Sequence, residues 1–588
     1  MSKITAIRHH QMCRNGTAFF VLCVFAVAWL CLMLVNDLRV EDTEQSVGGF
    51  RLVAISLANA LLLLLPYWLL PRRWRWLVWL PITVLSLWCL VQVCYFRAYD
   101  DMMPWRSMTI TGNVNSTLMA STVALLRWHD LVYVLPLLVL AAVYLMARPA
   151  ATATPGRVKP FLLTLMVMLV IAFVGYYVPG ENRARRYLVN FSNRNYYSDN
   201  GLIPYSVFTL YNTIFVTHTV TDADRDKVKR FLEQECPHYD DNRFSDGQRR
   251  NLVLIIVESL HTWPIGMRVQ GREVTPVLNS LVSGDSVIYA PHMLFQTSHG
   301  HSSDAHFIYN TGLLPLRDGV VAVEWGDGPY PALSAALQGY DCREIICTPG
   351  INWNQTVTAR TYGFERLYTR DDLTDSGCLQ RHGDIDDAAL TDFASSLLPE
   401  LSQPFFLEMV TMTMHAPYTG TGLPPSWITA SDTLNAEARG YLNCVNLTDS
   451  CIGAFLDDLK RAGLDNRTVV AIVSDHTQIY LNRIKGLTDY QSVPDDWGIP
   501  LIISGCDTTL RHDPIVGQVD VFPTLLDVMG ANAYRWKGLG HSLLRYNVTS
   551  AVQPRNMSIL GDSNVVTSHQ REAWEVSRLL ILDRSLLP

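Results

Sequence analysis

The sequence predicts a polytopic α-helical membrane domain of five spans followed by an α/β domain with a mostly parallel sheet between helices. Three observations predict it. Of the 588 residues, 49% are hydrophobic and only 17% charged, against the ~25% charge usual in soluble proteins. Apolar residues of the first 178 positions gather in five long runs, whereas beyond position 250 they gather in short β-rich runs separated by helical patterns. The charge is divided as well: residues 1–180 carry 14 Lys/Arg against 7 Asp/Glu, and the other 408 carry 33 against 47. This length implies more than one domain, drawn here as a membrane domain 1–178, a connector 179–249 and an outer domain 250–588. The acidic second half argues against nucleic acid as a partner, because phosphate binding needs a basic face.

The five apolar runs are 17–36, 52–71, 76–96, 131–147 and 161–178, most of them reaching the ~17–25 residues that cross a bilayer. A cleavable signal peptide is disfavoured for the first, since four more spans follow and no small-residue cleavage site is evident. Lys3, Arg8 and Arg14, then Arg72, Arg73 and Arg75, then Arg148, Arg157 and Lys159 mark one side. Asp37, Glu41, Asp42, Glu44, Asp100, Asp101 and Asp130 mark the other. Positive-inside then puts the N-terminus in the cytoplasm and the chain after Val178 outside. Residues 97–130 are read as a loop lying on the bilayer or solvated beside it. Arg183, Arg185 and Arg186 are read as an interfacial anchor or a contact for lipid phosphate.

In the outer domain the runs NLVLIIVES, SVIYA, YDCREIICT, PFFLEMVTMT, TVVAIVSD and IPLIIS are too apolar for a sheet wetted on one face. They suit parallel strands covered on both, an architecture that collects reactive groups at the carboxyl ends of its strands. The twelve cysteines, seven of them beyond Val178, show no Cys-x-x-Cys spacing and read as structural or inert. Up to three disulfides are compatible with an oxidising exterior.

Glu258 directly follows the run Leu252–Val257, and Asp475–His476 ends the run Val469–Val473 in the same way. One acid at a strand end is usually a helix cap or a solvated charge. Two such ends supply two carboxylates and an imidazole, which suit a single divalent ion. Gly300-His301-Ser302-Ser303-Asp304-Ala305-His306 precedes the apolar Phe307 and Ile308 and marks a helix N-terminus. Backbone N–H groups and the helix dipole favour an anion there. A hydroxyl held beside a metal at that point ionises near neutral pH and attacks phosphorus or sulfur; otherwise Ser302 and Ser303 merely cap the helix.

Val257-Glu258-Ser259-Leu260, Thr275-Pro276-Val277-Leu278-Asn279, Gly300–Asp304, Ser474-Asp475-His476, Pro500–Ser504 and Val519-Asp520-Val521-Phe522-Pro523-Thr524-Leu525-Leu526 occur in that order. The series resembles the alkaline phosphatase/sulfatase superfamily, so the outer domain is expected to be sulfatase-like. With five spans before it, the chain resembles lipoteichoic acid synthase-like phosphoglycerol transferases of the bacterial cytoplasmic membrane. The resemblance implies that Glu258, Asp475 and His476 are metal ligands and that Ser302 is both nucleophile and fourth ligand, with Ser303 the one-position alternative. It implies substrate contacts for His415, in Met414-His415-Ala416-Pro417-Tyr418, and for Trp353, in Asn352-Trp353-Asn354-Gln355. His301 stands where the family has Lys, and is placed with the substrate-binding residues.

There are departures. Gln355 replaces an Arg of the family's glycerol-phosphate pocket, a family His is missing near Cys347 or Thr348, and Thr477 replaces the Gly after Asp-His. The formylglycine sulfatases need Cys/Ser-x-Pro-x-Arg, absent from 301–306, and the further metal ligands of classical alkaline phosphatases have no counterpart that can be assigned. One divalent cation is therefore expected, Mn²⁺ or Mg²⁺ ahead of Zn²⁺. The implied reaction takes a phosphoglycerol-type headgroup from a membrane phospholipid onto Ser302, releases diacylglycerol, and passes the group to a glycan, glycolipid or polymer hydroxyl. Two readings compete: phosphoethanolamine transfer or phosphodiester hydrolysis, and a catalytically silent, lipid-binding regulator.

Overall fold

The structure is a computed structural model. It describes residues 2–38, 49–99, 102–103, 105, 126–147, 158–177, 197, 200–215, 220–236, 238–350, 352–373, 380–381, 384–418, 427–428, 434–477, 498–562, 564 and 569–587. Arg183, Arg185, Arg186, Cys378 and most of the 97–130 connection lie outside these residues. The described chain forms two compact units, one built from residues up to 215 and the other from 220 onward.

The first unit is helical: α1 (Ser2–Asp37), α2 (Gly49–Leu64), α3 (Trp79–Tyr99), α4 (Leu135–Ala147), α5 (Val158–Tyr177) and α6 (Leu202–Phe215). Among the described residues, three stretches are long and apolar enough to cross a membrane: Thr17–Asp37, Trp74–Arg97 and Val158–Gly175. The second and fourth expected spans form shorter apolar helices, Leu52–Trp68 and Trp128–Val143. In the second of the five, Pro66 lacks an N–H to continue the α-helical ladder, and a 3₁₀ turn over Leu65–Trp68 follows α2. On α5, Leu162, Leu163, Met166, Leu169, Val170 and Phe173 are all exposed, an apolar surface that hydrocarbon solvates and water does not. Two polar contacts tie this unit together. Arg97 grips Asp130 through two bonds of 2.7 Å, and the Tyr133 hydroxyl donates to Asp37 at 2.9 Å. The ends of α1 and α3 and the approach to α4 therefore meet, which gathers two of the acid-bearing positions, Asp37 and Asp130.

The second unit is built on one nine-stranded sheet. Its strands are β1 (Asn251–Val257), β2 (Val287–Leu294), β3 (Asp341–Ile346), β4 (Arg366–Tyr368), β5 (Phe405–Val410), β6 (Thr468–Ser474), β7 (Gly498–Ser504), β8 (Leu510–Arg511) and β9 (Val516–Gly517). The spatial order is β8-β2-β7-β6-β1-β5-β3-β4, with β9 also on β2. The pairs of β1 with β6 and β5, of β5 with β3, and of β3 with β4 are parallel. The run IPLIIS corrects the sequence reading. It forms β7, which is antiparallel to both β6 and β2. An interior strand is covered on both faces whichever way it runs, so its apolar sequence carries no record of direction.

Among the described residues eight longer helices complete the unit: α7 (Asp222–Gln234), α8 (Pro276–Ser283), α9 (Ser302–Thr311), α10 (Gln355–Thr361), α11 (Asp387–Leu397), α12 (Ala436–Arg461), α13 (Val521–Val528) and α14 (Gln570–Leu582), besides shorter helical segments. Leu252, Leu254 and Ile256 of β1 join a core with Phe307 and Ile308 of α9, Leu525 of α13 and Leu580 of α14. Val253, Ile255 and Val257 face the other way and are equally buried, so the sheet is covered on both sides. Asp449 of α12 caps α8, accepting from the N–H groups of Val277 and Leu278 at 3.0 and 2.8 Å. The fully buried Asp387 accepts from Met412 N–H (2.6 Å), Thr413 N–H (2.9 Å) and the Thr448 hydroxyl (2.6 Å). It thereby fixes the turn that leaves β5. Asp387→Ala strands these donors in the interior and is expected to lower the unfolding free energy by about 2–4 kcal/mol, read by denaturant titration of the solubilised protein.

Candidate active site

β1 and β6 pair in register from Asn251↔Thr468 to Val257↔Ser474, so they leave the sheet side by side. The next residues are Glu258 on one and Asp475 and His476 on the other, all buried. Their ligating atoms lie within 4.8 Å of one another. His476 Nε2 is 3.3 Å from Asp475 Oδ2 and 4.0 Å from Glu258 Oε1. Ser302 opens α9, and its Oγ lies 3.5 Å from Glu258 Oε2 and 3.4 Å from His476 Nε2. The next serine faces elsewhere: the Ser303 hydroxyl donates to Gly300 O at 2.7 Å.

Neighbouring groups hold each member. His476 Nδ1 donates to Thr477 O at 2.8 Å, which leaves the Nε2 lone pair facing the cluster. Asp475 Oδ1 accepts from the N–H groups of Ser259 (2.8 Å) and His476 (2.7 Å), and the Ser259 hydroxyl donates to Glu258 Oε1 at 2.6 Å. Backbone strain gathers at both junctions, with Ser259 at φ 53° and His301 at φ 44°, a region L-residues occupy when surroundings compel it. At Gly300 any Cβ would collide with the Asp304 carboxylate. That carboxylate accepts from the N–H groups of Ser298 (2.8 Å) and Gly300 (3.0 Å) and so folds the loop onto the start of α9.

Burial together with the Glu258 charge pushes the Asp475 carboxyl up to about 6. Burial opposes charge on His476, yet Asp475 and Glu258 outweigh it and raise the imidazole pKa. Burial alone pushes Asp304 up to about 7. Among the described residues no Lys or Arg contacts these two enclosed carboxylates, the imidazole nitrogen or the hydroxyl beside them, and this donor set fits one divalent cation.

The other expected site residues are distributed as follows. The His301 ring lies edge-on to His476, centroids 5.5 Å apart. His415 follows β5, in the turn closed by its own N–H to Met412 O, with Nδ1 donating to Ala416 O at 2.8 Å. Trp353 follows β3 at φ 48°. Both strands run parallel to β1, so these residues open at the same sheet edge, and the Thr411 hydroxyl at the end of β5 accepts from Glu258 N–H at 3.0 Å. The departures Thr348 and Gln355 touch each other, the threonine hydroxyl donating to the Gln355 amide oxygen at 3.4 Å. Cys236, Cys342, Cys347, Cys444, Cys451 and Cys506 are free thiols, and burial pushes Cys236, Cys342 and Cys451 up to about 12, as expected of inert cysteines.

Sequence reasoning missed Gln518. Its buried amide donates to Asp475 O at 2.7 Å and to the Tyr309 hydroxyl at 2.9 Å, and Tyr309 donates to Ser474 O at 2.6 Å. The signal was a polar residue immediately before the Val-Asp-Val-Phe-Pro stretch.

Residues 250–531 match the sulfatase family, and residues 1–220 match the lipoteichoic acid synthase N-terminal domain. The two matches fall on the two structural units in the expected order. The chain therefore joins a region matching the lipoteichoic acid synthase N-terminal domain to one matching the sulfatase family. It is 26% identical to the lipoteichoic acid synthase of Staphylococcus saprophyticus over 571 residues, covering 92% of this chain and 86% of the relative. With the lipoteichoic acid synthase of Staphylococcus aureus it shares 25% identity over 502 residues, 82% of this chain and 76% of the relative. Among solved structures it shares its fold with the lipoteichoic acid synthase LtaP from Listeria monocytogenes (TM-score 0.53, 18% identity, 63% of this chain and 99% of that one). It likewise resembles the lipooligosaccharide phosphoethanolamine transferase A from Neisseria meningitidis (TM-score 0.50, 15% identity, 89% and 96%).

Gln518→Ala is expected to weaken divalent-cation binding roughly 10–100-fold, as loss of a group that orients a ligand does. Calorimetric titration measures it. An unchanged affinity would remove Gln518 from the support of Asp475.

Proposed function

We propose that the chain transfers a phosphoglycerol-type headgroup from a membrane phospholipid to an extracytoplasmic acceptor hydroxyl through a phospho-serine intermediate. One observation carries this reading: a buried Glu258–Asp475–His476 group with the Ser302 hydroxyl 3.5 and 3.4 Å from two of its members, in a chain whose relatives are named lipoteichoic acid synthase. Glu258, Ser302, Asp475 and His476 would hold one cation, Mn²⁺ or Mg²⁺ ahead of Zn²⁺ because most donors are oxygens. When bound, it lowers the pKa of a coordinated hydroxyl and neutralises charge on phosphoryl oxygens.

Ser302 Oγ forms the new bond to phosphorus as the bond from phosphorus to the diacylglycerol oxygen breaks. His415 donates the proton that oxygen needs. The acceptor hydroxyl, on a glycan, glycolipid or growing polymer, then attacks the same phosphorus, and Ser302 Oγ leaves and is reprotonated. The positive end of the α9 dipole favours the anionic phosphorus throughout. Trp353 and His301 serve the headgroup. The membrane unit confines enzyme and lipid donor to one surface, which supplies proximity without tight binding of a soluble donor. In this reading the spans number five, the N-terminus is cytoplasmic, and the domains divide as 1–178, 179–249 and 250–588 in the cytoplasmic membrane of a bacterium.

Ser302→Ala is expected to lower turnover by roughly 10³-fold or more while leaving stability nearly unchanged. EDTA should abolish activity and Mn²⁺ restore it. Activity surviving in the alanine variant would move the nucleophile elsewhere. The donor is tested by incubating the solubilised protein with labelled phosphatidylglycerol and phosphatidylethanolamine separately. Diacylglycerol is expected from phosphatidylglycerol. Release from phosphatidylethanolamine alone would replace phosphoglycerol by phosphoethanolamine as the group transferred, and the touching Thr348 and Gln355 mark where the headgroup pocket departs from the family.

A further inference from the structure

Beneath the candidate centre, a second group of ligating side chains is sealed in the core. Glu344 of β3 and Glu408 of β5 are direct cross-strand partners, with 2% and 0% of their surface exposed. His306 of α9 lies over them, Nδ1 3.5 Å from Glu344 Oε1 and 3.2 Å from Glu408 Oε1. The ligating atoms of all three lie within 4.8 Å of one another. Asn310, one turn along α9 and fully buried, donates its amide to Glu408 Oε2 at 2.8 Å.

Like charges directly opposite in a sheet repel, and enclosed carboxylates need compensating charge and hydrogen bonds. Neither is supplied in full. Glu344 Oε2 and Asn310 Oδ1 are enclosed oxygens without a hydrogen-bond donor, Glu408 Oε1 meets the His306 ring alone at 3.2 Å, and His306 Nε2 is itself enclosed without a partner. The site is rich in acceptors and poor in donors, which is the condition a cation relieves. We infer that His306, Glu344, Glu408 and Asn310 form a second divalent-cation site, separate from the Glu258–Asp475–His476 group. One nitrogen and several oxygens, the same mix as in the first centre, suit a divalent ion, and Zn²⁺ serves as the probe. With four protein side chains and no surface access the site is closed, and its work is structural: it fastens α9 to β3 and β5. Burial opposes charge on His306, but the Glu344 and Glu408 carboxylates outweigh it and lift its pKa to about 10, while burial and the Glu408 charge push the Glu344 carboxyl up to about 7. Without a metal the pocket therefore holds protons in its place, and an ion displaces them as it enters.

The test counts metal in the full-length protein, purified in detergent, loaded with Zn²⁺, dialysed against metal-free buffer and analysed by mass spectrometry. Two ions per chain are expected in the wild type, and one in a Glu258→Gln/Asp475→Asn variant. Adding Glu344→Gln and Glu408→Gln to that variant should remove the last ion. These substitutions keep shape and delete only buried charge. A second measurement avoids variants of the new site altogether: Zn²⁺ added to metal-stripped Glu258→Gln/Asp475→Asn should raise its melting temperature. A variant that binds no zinc and gains no stability would overturn the second site and leave the proposed reaction untouched. Retention of the ion after Glu344→Gln and Glu408→Gln would overturn it equally.

Discussion

The parallel pairing of β1 with β6 is the constraint on which the candidate centre depends. Glu258 and Asp475–His476 are more than 200 positions apart in the chain, and only the register Val257↔Ser474 delivers them to one level at one sheet edge. Side chains alternate between faces along a strand, so a slip of one residue would send Asp475 to the wrong face and displace it by about 3.3 Å. The register is held by burial on both faces of two strands with no exposed residue. The apolar runs are thus the jig for the charged residues that end them, and the free energy of the core is what keeps two carboxylates and an imidazole in close company.

Holding them there is costly to the backbone and to solvation. Ser259 and His301 both adopt left-handed torsions, one where β1 ends and the other where α9 begins. Each lets the chain turn sharply enough to bring its neighbour, Glu258 or Ser302, into the cluster. The distortion is held by a shell of polar contacts: Tyr441 donates to Ser259 O at 2.9 Å, Gln518 to Asp475 O, and Asp304 gathers the 298–300 loop. Each of these side chains is buried and directs at least one hydrogen bond to backbone, which is how a strained junction is kept from relaxing.

This division explains what was legible in the sequence. Runs such as NLVLIIVES and TVVAIVSD announce strands because hydrophobicity is a local property, and an acid at the end of such a run stands out against it. Direction is not local, so β7 read as parallel. The turn at Pro66 was not legible for the same reason, since the run around it is apolar throughout and composition does not report where an α-helix gives way to a 3₁₀ turn. Gln518 and Asp387 were overlooked because their partners lie far along the chain or on loops whose geometry only the packed sheet creates. Tyr309 and Asp475 for the one, and Met412 and Thr448 for the other, meet them only in the folded unit. Glu344 and Glu408 were passed over for a related reason: inside apolar runs they interrupt no pattern strongly enough to look like more than tolerated exceptions.

The two clusters have one helix in common. Ser302, His306 and Asn310 follow one another at steps of four along α9, and therefore form a single stripe on its surface. The first faces the sheet edge where Glu258 and His476 emerge, and the next two face the carboxylates of β3 and β5. A cation bound beneath His306 would fix the rotation of α9 about its own axis, and with it the direction in which Ser302 points. Apolar contacts of Phe307 and Ile308 set the distance of α9 from the sheet but tolerate small rotations, because packing is only weakly directional. Coordination is directional. A buried ion one turn below the hydroxyl would supply the angular precision that the proposed in-line attack on phosphorus demands and that hydrophobic burial by itself does not provide.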